Sequence, residues 1–265
     1  CADMNINDVP FGQDYEKREW DLSFPLIRDA SKCIKCMRCV QTCDKIQSLG
    51  IWDIVNTGKR TSVGVSKMRK ITEADCALCG QCITHCPTGA LRERDDVRKV
   101  MDAVNDPEKI VVVQIAPAVR AAWGEGLGLP EKMATEKRMA AAARALGMDY
   151  VFDTNFSADL TIMEEANEFL ERMAHREEHQ WPMFTSCCPG WVRFIKSQYP
   201  DMAKQLSTAK SPQQMFGAVA KTYFAKKVLD VDPSRIFCVS IMPCTAKKAE
   251  CTIPNINDAG VGQDV

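Results

Sequence analysis

Eight of the 14 cysteines fall in two groups of one spacing: residues 33–43 read CIKCMRCVQTC and residues 76–86 read CALCGQCITHC, followed by Pro87. Each group is C-x2-C-x2-C-x3-C. Three thiolates this close wrap one face of a cubane 4Fe4S cluster, while the fourth, pointing away on the next helical turn, reaches the cluster of the other copy. The spacing therefore predicts two 4Fe4S clusters with crossed fourth ligands. Cys33, Cys36, Cys39 and Cys86 hold one; Cys76, Cys79, Cys82 and Cys43 hold the other. Zinc prefers paired C-x2-C elements, and free buried thiols have no reason to repeat a four-cysteine spacing. A disulfide framework suits small secreted chains, whereas this chain is large and lacks a signal-like start. The chemistry of such a module is transfer of single electrons. Asp44 stands in the first copy where Pro87 follows the second, a change to the local turn more than to ligation.

Other thiols sit elsewhere: Cys187 and Cys188 are adjacent, and Cys244 stands alone in an apolar segment. The elements that must position them are legible after about residue 90, where the composition shifts. KIVVVQIAP (109–117), DYVFDTNF (149–156), PMFTSCCP (182–189) and RIFCVSIMPC (235–244) read as buried strands. Helical patterns lie between them at 131–146, stopped by Gly147, at 158–178 and at 211–229. The last opens on Ser211, Pro212 and Gln214, a capping signature. Strands alternating with helices predict a parallel α/β sheet. In such sheets ligands sit beyond the carboxyl ends of the strands, where Ala116-Pro117, Thr185 to Cys188 and Pro243-Cys244 all fall.

With 34 Lys and Arg against 35 Asp and Glu, the net charge of −1 lacks the basicity of a phosphate-neutralising nucleic-acid binder. The 265 residues, 46% hydrophobic, suffice for two domains, and no apolar run is long enough for a membrane span. The first cysteine-rich module, about residues 25–95, resembles a bacterial two-cluster ferredoxin. Cys1 reads either as the last ligand of a further upstream cluster or as an incidental thiol, so residues 1–24 are an N-terminal extension.

TSCCPGW (185–191) and MPCTAKK (242–248) resemble the first and second signature segments of the iron-only hydrogenases, and FDTNFSADLTIMEE (152–165) and KSPQQMFGA (210–218) resemble the same family. The resemblance implies an α+β two-cluster ferredoxin-like domain followed, over 96–265, by the N-terminal half of an α/β parallel-sheet hydrogenase catalytic domain. It further implies an H-cluster, a 4Fe4S cube bridged through a cysteine sulfur to a diiron unit carrying carbonyl, cyanide and dithiolate ligands. Carried over by position, Cys188 and Cys244 are cube ligands, and Cys187 is a proton-relay thiol instead of a ligand. A thiol can give and take a proton near neutrality without adding permanent charge. Glu165, Ser207, Glu168 and Arg172 continue the path. Glu165, Glu168 and Arg172 recur at i, i+3 and i+7 and share a helix face, for which a solvated charged face is the competing reading. Lys247 is implied to hold a cyanide as a charge-assisted donor. Ala116 and Pro117 form a backbone wall and Met242 a soft cover. Ala118 stands where some relatives carry Ser. Cys238 and Cys251 match no ligand, Cys238 reading as a core residue, and His85, His175 and His179 show no metal spacing.

The family's third signature segment, with two further cysteines, is not in the sequence, which reads as a fragment of a longer polypeptide. The implied activity of the parent is reversible conversion of H2 into protons and electrons. Its partners are a ferredoxin or an NAD(P)-linked electron-transfer subunit, and diiron maturation proteins; its setting is anaerobic and cytoplasmic, though periplasmic relatives exist. A hydrogen sensor is expected to replace the relay thiol, yet Cys187 is present. An iron–sulfur scaffold protein is expected to depart from MPCTAKK, yet Lys247 is kept.

Overall fold

The computed structural model describes residues 19–265 and divides into two compact units, so the expectation for Cys1 lies outside the described residues. The first unit contains the described residues up to Cys76 together with Gly80–Arg94; Ala77–Cys79 group with the second unit, which otherwise runs over Asp95–Val265.

In the first unit, β1 (Leu26–Arg28) pairs antiparallel with β4 (Leu91–Glu93), bringing the two ends of the module together. Between them come α1 (Arg38–Gln41), the hairpin of β2 (Trp52–Val55) and β3 (Ser62–Val65), and α2 (Gln81–Thr84). Leu26, Ile51, Trp52, Val63 and Leu91 are buried. Arg28 ties the two sheets by donating to Ser62 Oγ at 3.1 Å and to the Val63 carbonyl. The sequence repeat is also a backbone repeat. Positive φ occurs at the third and fifth positions of each copy, at Lys35 (57°) and Met37 (61°) in one and at Leu78 (56°) and Gly80 (77°) in the other. For non-glycine residues that conformation costs about 1 kcal/mol each, so its recurrence points to a local demand.

The second unit begins with α3 (Val97–Val104) and β5 (Ile110–Ile115), continues through α4 (Pro117–Ala122) and α5 (Glu136–Ala145) to β6 (Tyr150–Asp153), and then enters the long α6 (Asn155–Ala174). After α7 (Pro189–Gln198) and α8 (Pro212–Val219), the latter continued by π-helical turns over Ala220–Leu229, come β7 (Ile236–Ile241) and α9 (Thr245–Glu250). Among the described residues the sheet is parallel with order β6-β5-β7. The Val-rich β5 is central because its β-branched side chains are covered on both faces. Val111, Val113 and Ile115 pack with Ala103, Ala143 and Met148 on one side, and Val112 packs with Phe216, Ala220 and Cys238 on the other. Cys238 is thus a core residue, its thiol pushed up to about 12 by burial.

Three of the four expected strands form. The fourth, 182–189, does not join the sheet: Phe184 makes only an isolated bridge with Leu206. Prolines at both ends of that run lack ladder donors, and the Ser186 N–H is engaged by the Glu165 carboxylate at 3.4 Å. Thr185 to Cys188 therefore end a loop instead of a strand. The helix expected at 158–178 runs over Asn155–Ala174, and the one expected at 131–146 starts at Glu136. Ser211 caps α8 by accepting from the Gln214 N–H, as its sequence signature predicts. The chain crosses from β6 back over β5 to β7, which makes the carboxyl ends of β5 and β7 the place for a ligand. Among the described residues no helix is long and apolar enough to cross a membrane.

Candidate functional site

Cys33, Cys36, Cys39 and Cys86 line one pocket of the first unit, walled by Met37, Trp52 and His85. This is the thiol set that the crossed spacing predicts. Alternating left- and right-handed backbone, as at Lys35 and Met37, can turn successive N–H groups into an anion-holding nest, which suits a thiolate-bound cluster. Burial, reinforced by the neighbouring Cys33 and Cys36, pushes the Cys39 thiol up to about 11. Burial also opposes ionisation of Cys86, but hydrogen bonds from the Leu91, Thr88 and Ala90 backbone and the Thr88 hydroxyl outweigh it and lower its pKa. Of the second set, Cys43, Cys76 and Cys82 are buried and Cys79 is exposed. The Cys43 sulfur accepts from the Ile51 N–H at 3.3 Å, and the turn that carries it packs against α2, which carries Cys82. Among the described residues no three His, Cys, Asp or Glu side chains converge as ligands of a single ion; the first four thiols line a space instead.

In the second unit, Ala116 is buried and follows β5 with its N–H on the Ile241 carbonyl at 3.1 Å, which sets the loop bearing Ala116 and Pro117 beside the one bearing Met242 and Cys244. Cys188 is the N-cap of α7, its sulfur accepting from the Trp191 N–H at 3.4 Å, and Cys244 is the N-cap of α9. The two helices start side by side: a Cβ on Gly190 would lie 3.7 Å from that of Ala246. Lys247 closes the site by donating to the Cys187 carbonyl at 2.9 Å. Around the Cys187 thiol, burial and the nearby Glu165 carboxylate raise the pKa, and Lys247 lowers it by less. Cys187 is thus a neutral thiol near pH 7, able to carry a proton.

The polar stripe of α6 is turned inward, contrary to the solvated-face reading, with Arg172 buried and Glu165 and Glu168 half-buried. Ser157, Thr161 and Arg172 are buried, whereas Ile162, Met163 and Leu170 face outward. Arg172 donates to Glu168 Oε1 at 2.5 Å and to the Leu206 carbonyl at 2.9 Å; Ser207 Oγ donates to Glu168 Oε2 at 2.7 Å. Ser207, Glu168 and Arg172 thus form one connected group. Glu165 is joined to it less directly: it accepts from the Ser186 N–H, Ser186 Oγ donates to the Ala209 carbonyl, and the Ala209 N–H donates to Ser207 Oγ. Ser186 is a member of the network for which sequence reasoning gave no separate role. Glu250, which pairs with Lys247, is a second residue without a separate role in the sequence reading, and its position three residues beyond Lys247 on α9 was the available signal.

Burial pushes the Glu168 carboxyl up, but the Ser207 hydroxyl, the Thr208 N–H and Arg172 more than offset it, so its pKa falls below the ordinary 4.5. A depressed carboxylate stabilises the fold above the unfolded value and loses that contribution as pH falls through the folded value. Glu168→Gln is accordingly expected to lower Tm near neutrality, with the gap to wild type closing in acid. Thermal melts over a pH series check this; a gap that stays constant with pH would contradict it.

The family described as iron only hydrogenase large subunit, C-terminal domain, matches residues 109–265, and a 4Fe-4S dicluster domain matches residues 32–90. The chain belongs to the iron-only hydrogenase family. It is 46% identical to the NADP-reducing hydrogenase subunit HndD of Solidesulfovibrio fructosivorans over 97% of this chain and 45% of that protein. A solved apo [FeFe]-hydrogenase from Chlamydomonas reinhardtii superposes with a TM-score of 0.58 at 42% identity, over 64% of this chain and 44% of that one. A cytosolic iron-sulfur assembly component of Bos taurus is 32% identical over 72% of this chain and 42% of its own length. The chain thus spans less than half the length of these curated relatives. A ferredoxin-like 4Fe-4S domain followed by a hydrogenase domain with a parallel sheet fits both the matches and the fold.

Proposed function

We propose that this chain works within a hydrogenase that interconverts H2 with two protons and two electrons, passing the electrons through two 4Fe4S clusters. The observation that supports it best is the grouping of Cys187, Cys188, Glu165 and Lys247 beyond the carboxyl ends of β5 and β7. Cys188 and Cys244 would hold the H-cluster cube, Lys247 and the Ala116-Pro117 backbone would meet its cyanide, and Met242 would cover it. When bound, that group supplies the redox-active iron at which the hydrogen–hydrogen bond is made or broken.

The chain's own residues manage the proton. Cys187 holds it at Sγ as a neutral thiol. Glu165 stands next as acceptor, and Ser207 and Glu168 continue the path toward Arg172; the Ser207 hydroxyl, the Thr208 N–H and the Arg172 guanidinium keep Glu168 ionised, so it holds a proton only in passing. Tight hydrogen bonds along the buried side of α6 fix these groups without solvent rearrangement. Cys33, Cys36, Cys39 and Cys86, with Cys76, Cys79, Cys82 and Cys43, hold the two cubes that exchange electrons with a ferredoxin or an NAD(P)-linked subunit. The name of the Solidesulfovibrio relative supports the nicotinamide alternative.

The test is H2 evolution from a reduced one-electron dye, together with H2/D2O isotope exchange, by the full natural protein matured with its diiron unit. Sustained turnover and exchange are expected. A loaded protein that exchanges nothing would leave the second reading, an iron–sulfur scaffold or electron carrier, which the likeness to the Bos taurus assembly component supports.

A further inference from the structure

Lys247 reaches the site on a short helix, and a lysine side chain has four rotatable bonds with little intrinsic preference for one direction. Something must fix it. Glu250, one turn along α9, is buried, and its Oε2 accepts from Lys247 Nζ at 2.9 Å. The same oxygen accepts from Ser211 Oγ at 2.9 Å and from Gln213 Nε2 at 3.2 Å, both from buried residues at the start of α8. Gln213 Nε2 also donates to the Lys247 carbonyl at 3.1 Å, so backbone and side chain of the lysine are held from one point.

A buried carboxylate is costly unless its partners are fixed, and here they are fixed by the capped end of a helix that packs on the sheet. An ammonium has three N–H donors. One is spent on Glu250 and one on the Cys187 carbonyl, which leaves a third for an anion in the site. We infer that Glu250, clamped by Ser211 and Gln213, is a positioning residue that orients the Lys247 ammonium and, through it, the Cys187 loop. The direction in which that third N–H is used rests on the proposed hydrogenase function, but the anchoring does not.

Two readouts separate these parts. In the full protein made without the maturation proteins, the rate of modification of Lys247 by an amine-reactive reagent, mapped by mass spectrometry, reports how firmly the ammonium is held. Glu250→Gln keeps the shape and removes the charge, and it is expected to raise that rate roughly tenfold, the scale of one charge-assisted hydrogen bond. Glu250→Asp keeps the charge on a shorter stem and is expected to give a smaller rise. An unchanged rate in a Glu250→Gln variant whose circular dichroism and Tm show it folded would overturn the inference. Should Glu250→Gln not fold, an unchanged rate in Glu250→Asp overturns it equally.

In the matured protein, the infrared stretches of the cyanide ligands are expected to shift in Glu250→Gln and to return toward wild type in Glu250→Asp. If labelling rises while the stretches stay fixed, the anchoring by Glu250 is upheld and the placement of Lys247 against a cyanide fails.

Discussion

Cys187→Ala in the full, matured protein is expected to cut H2 turnover by about 10²- to 10⁴-fold, the usual contribution of a positioned proton donor, while the iron content stays that of wild type. The geometry separates the two functions of this residue. Lys247 uses the Cys187 carbonyl, which alanine retains, and the neighbouring sulfur of Cys188 keeps its own bond to the Trp191 N–H. Only the proton-bearing Sγ is removed. Serine is expected to rescue poorly, since its hydroxyl is a far weaker acid than a thiol already raised by burial and by Glu165. Turnover and iron content measured on the same preparation decide the matter. Loss of iron in proportion to activity would make Cys187 a ligand and end the relay assignment.

The chemistry was more legible than the architecture around it. The cysteine repeat carried its own geometry: Cys33, Cys36, Cys39 and Cys86 share a pocket, and both copies adopt positive φ at equivalent positions. The Val-rich run of β5 read as a strand buried on both faces because nothing else satisfies four successive apolar residues between polar ends. Failure came where short-range signals conflict with tertiary demand. Residues 182–189 contain strand-forming side chains, yet the loop is shaped by what it offers the site, a backbone N–H to Glu165 and a carbonyl to Lys247. Helix α6 misleads in another way. Its apolar residues would ordinarily mark the inward face, but Glu168 and Arg172 are turned inward because the loop at 205–208 supplies carbonyl, hydroxyl and amide partners for them, while Ser157 and Thr161 bond the Thr154, Ser157 and Lys210 carbonyls. Those loop partners of Glu168 and Arg172 lie 34 to 40 residues away, beyond any periodicity argument. Glu250 is intermediate: its spacing from Lys247 was visible, but its clamp by Ser211 and Gln213 required the packing of α8 on α9's neighbourhood.

Gln114→Leu is expected to destabilise the second unit by about 3 kcal/mol, more than most core truncations of one or two methyl groups. Gln114 is fully buried near the carboxyl end of β5, the single polar side chain in that strand. Its Nε2 donates to Ser240 Oγ on β7 at 2.8 Å and to the Gln213 carbonyl on α8 at 3.1 Å; its Oε1 accepts from Thr154 Oγ1 after β6 at 3.3 Å. One amide therefore joins all three strands and the helix behind them. Leucine fills the same volume but takes this partner from the buried Thr154 hydroxyl and Gln213 carbonyl and from the half-buried Ser240 hydroxyl, and each buried group so left costs on the order of 1 kcal/mol or more. The effect should reach the site as well, because releasing the Gln213 carbonyl loosens the residue whose side chain holds Glu250 and the Lys247 backbone. Urea denaturation of the variant, read alongside the labelling rate of Lys247, tests both links. A stability change below about 0.5 kcal/mol would mean that the three groups find other partners, and Gln114 would then be a filler of the sheet instead of the joint between the fold and the residues that serve its chemistry.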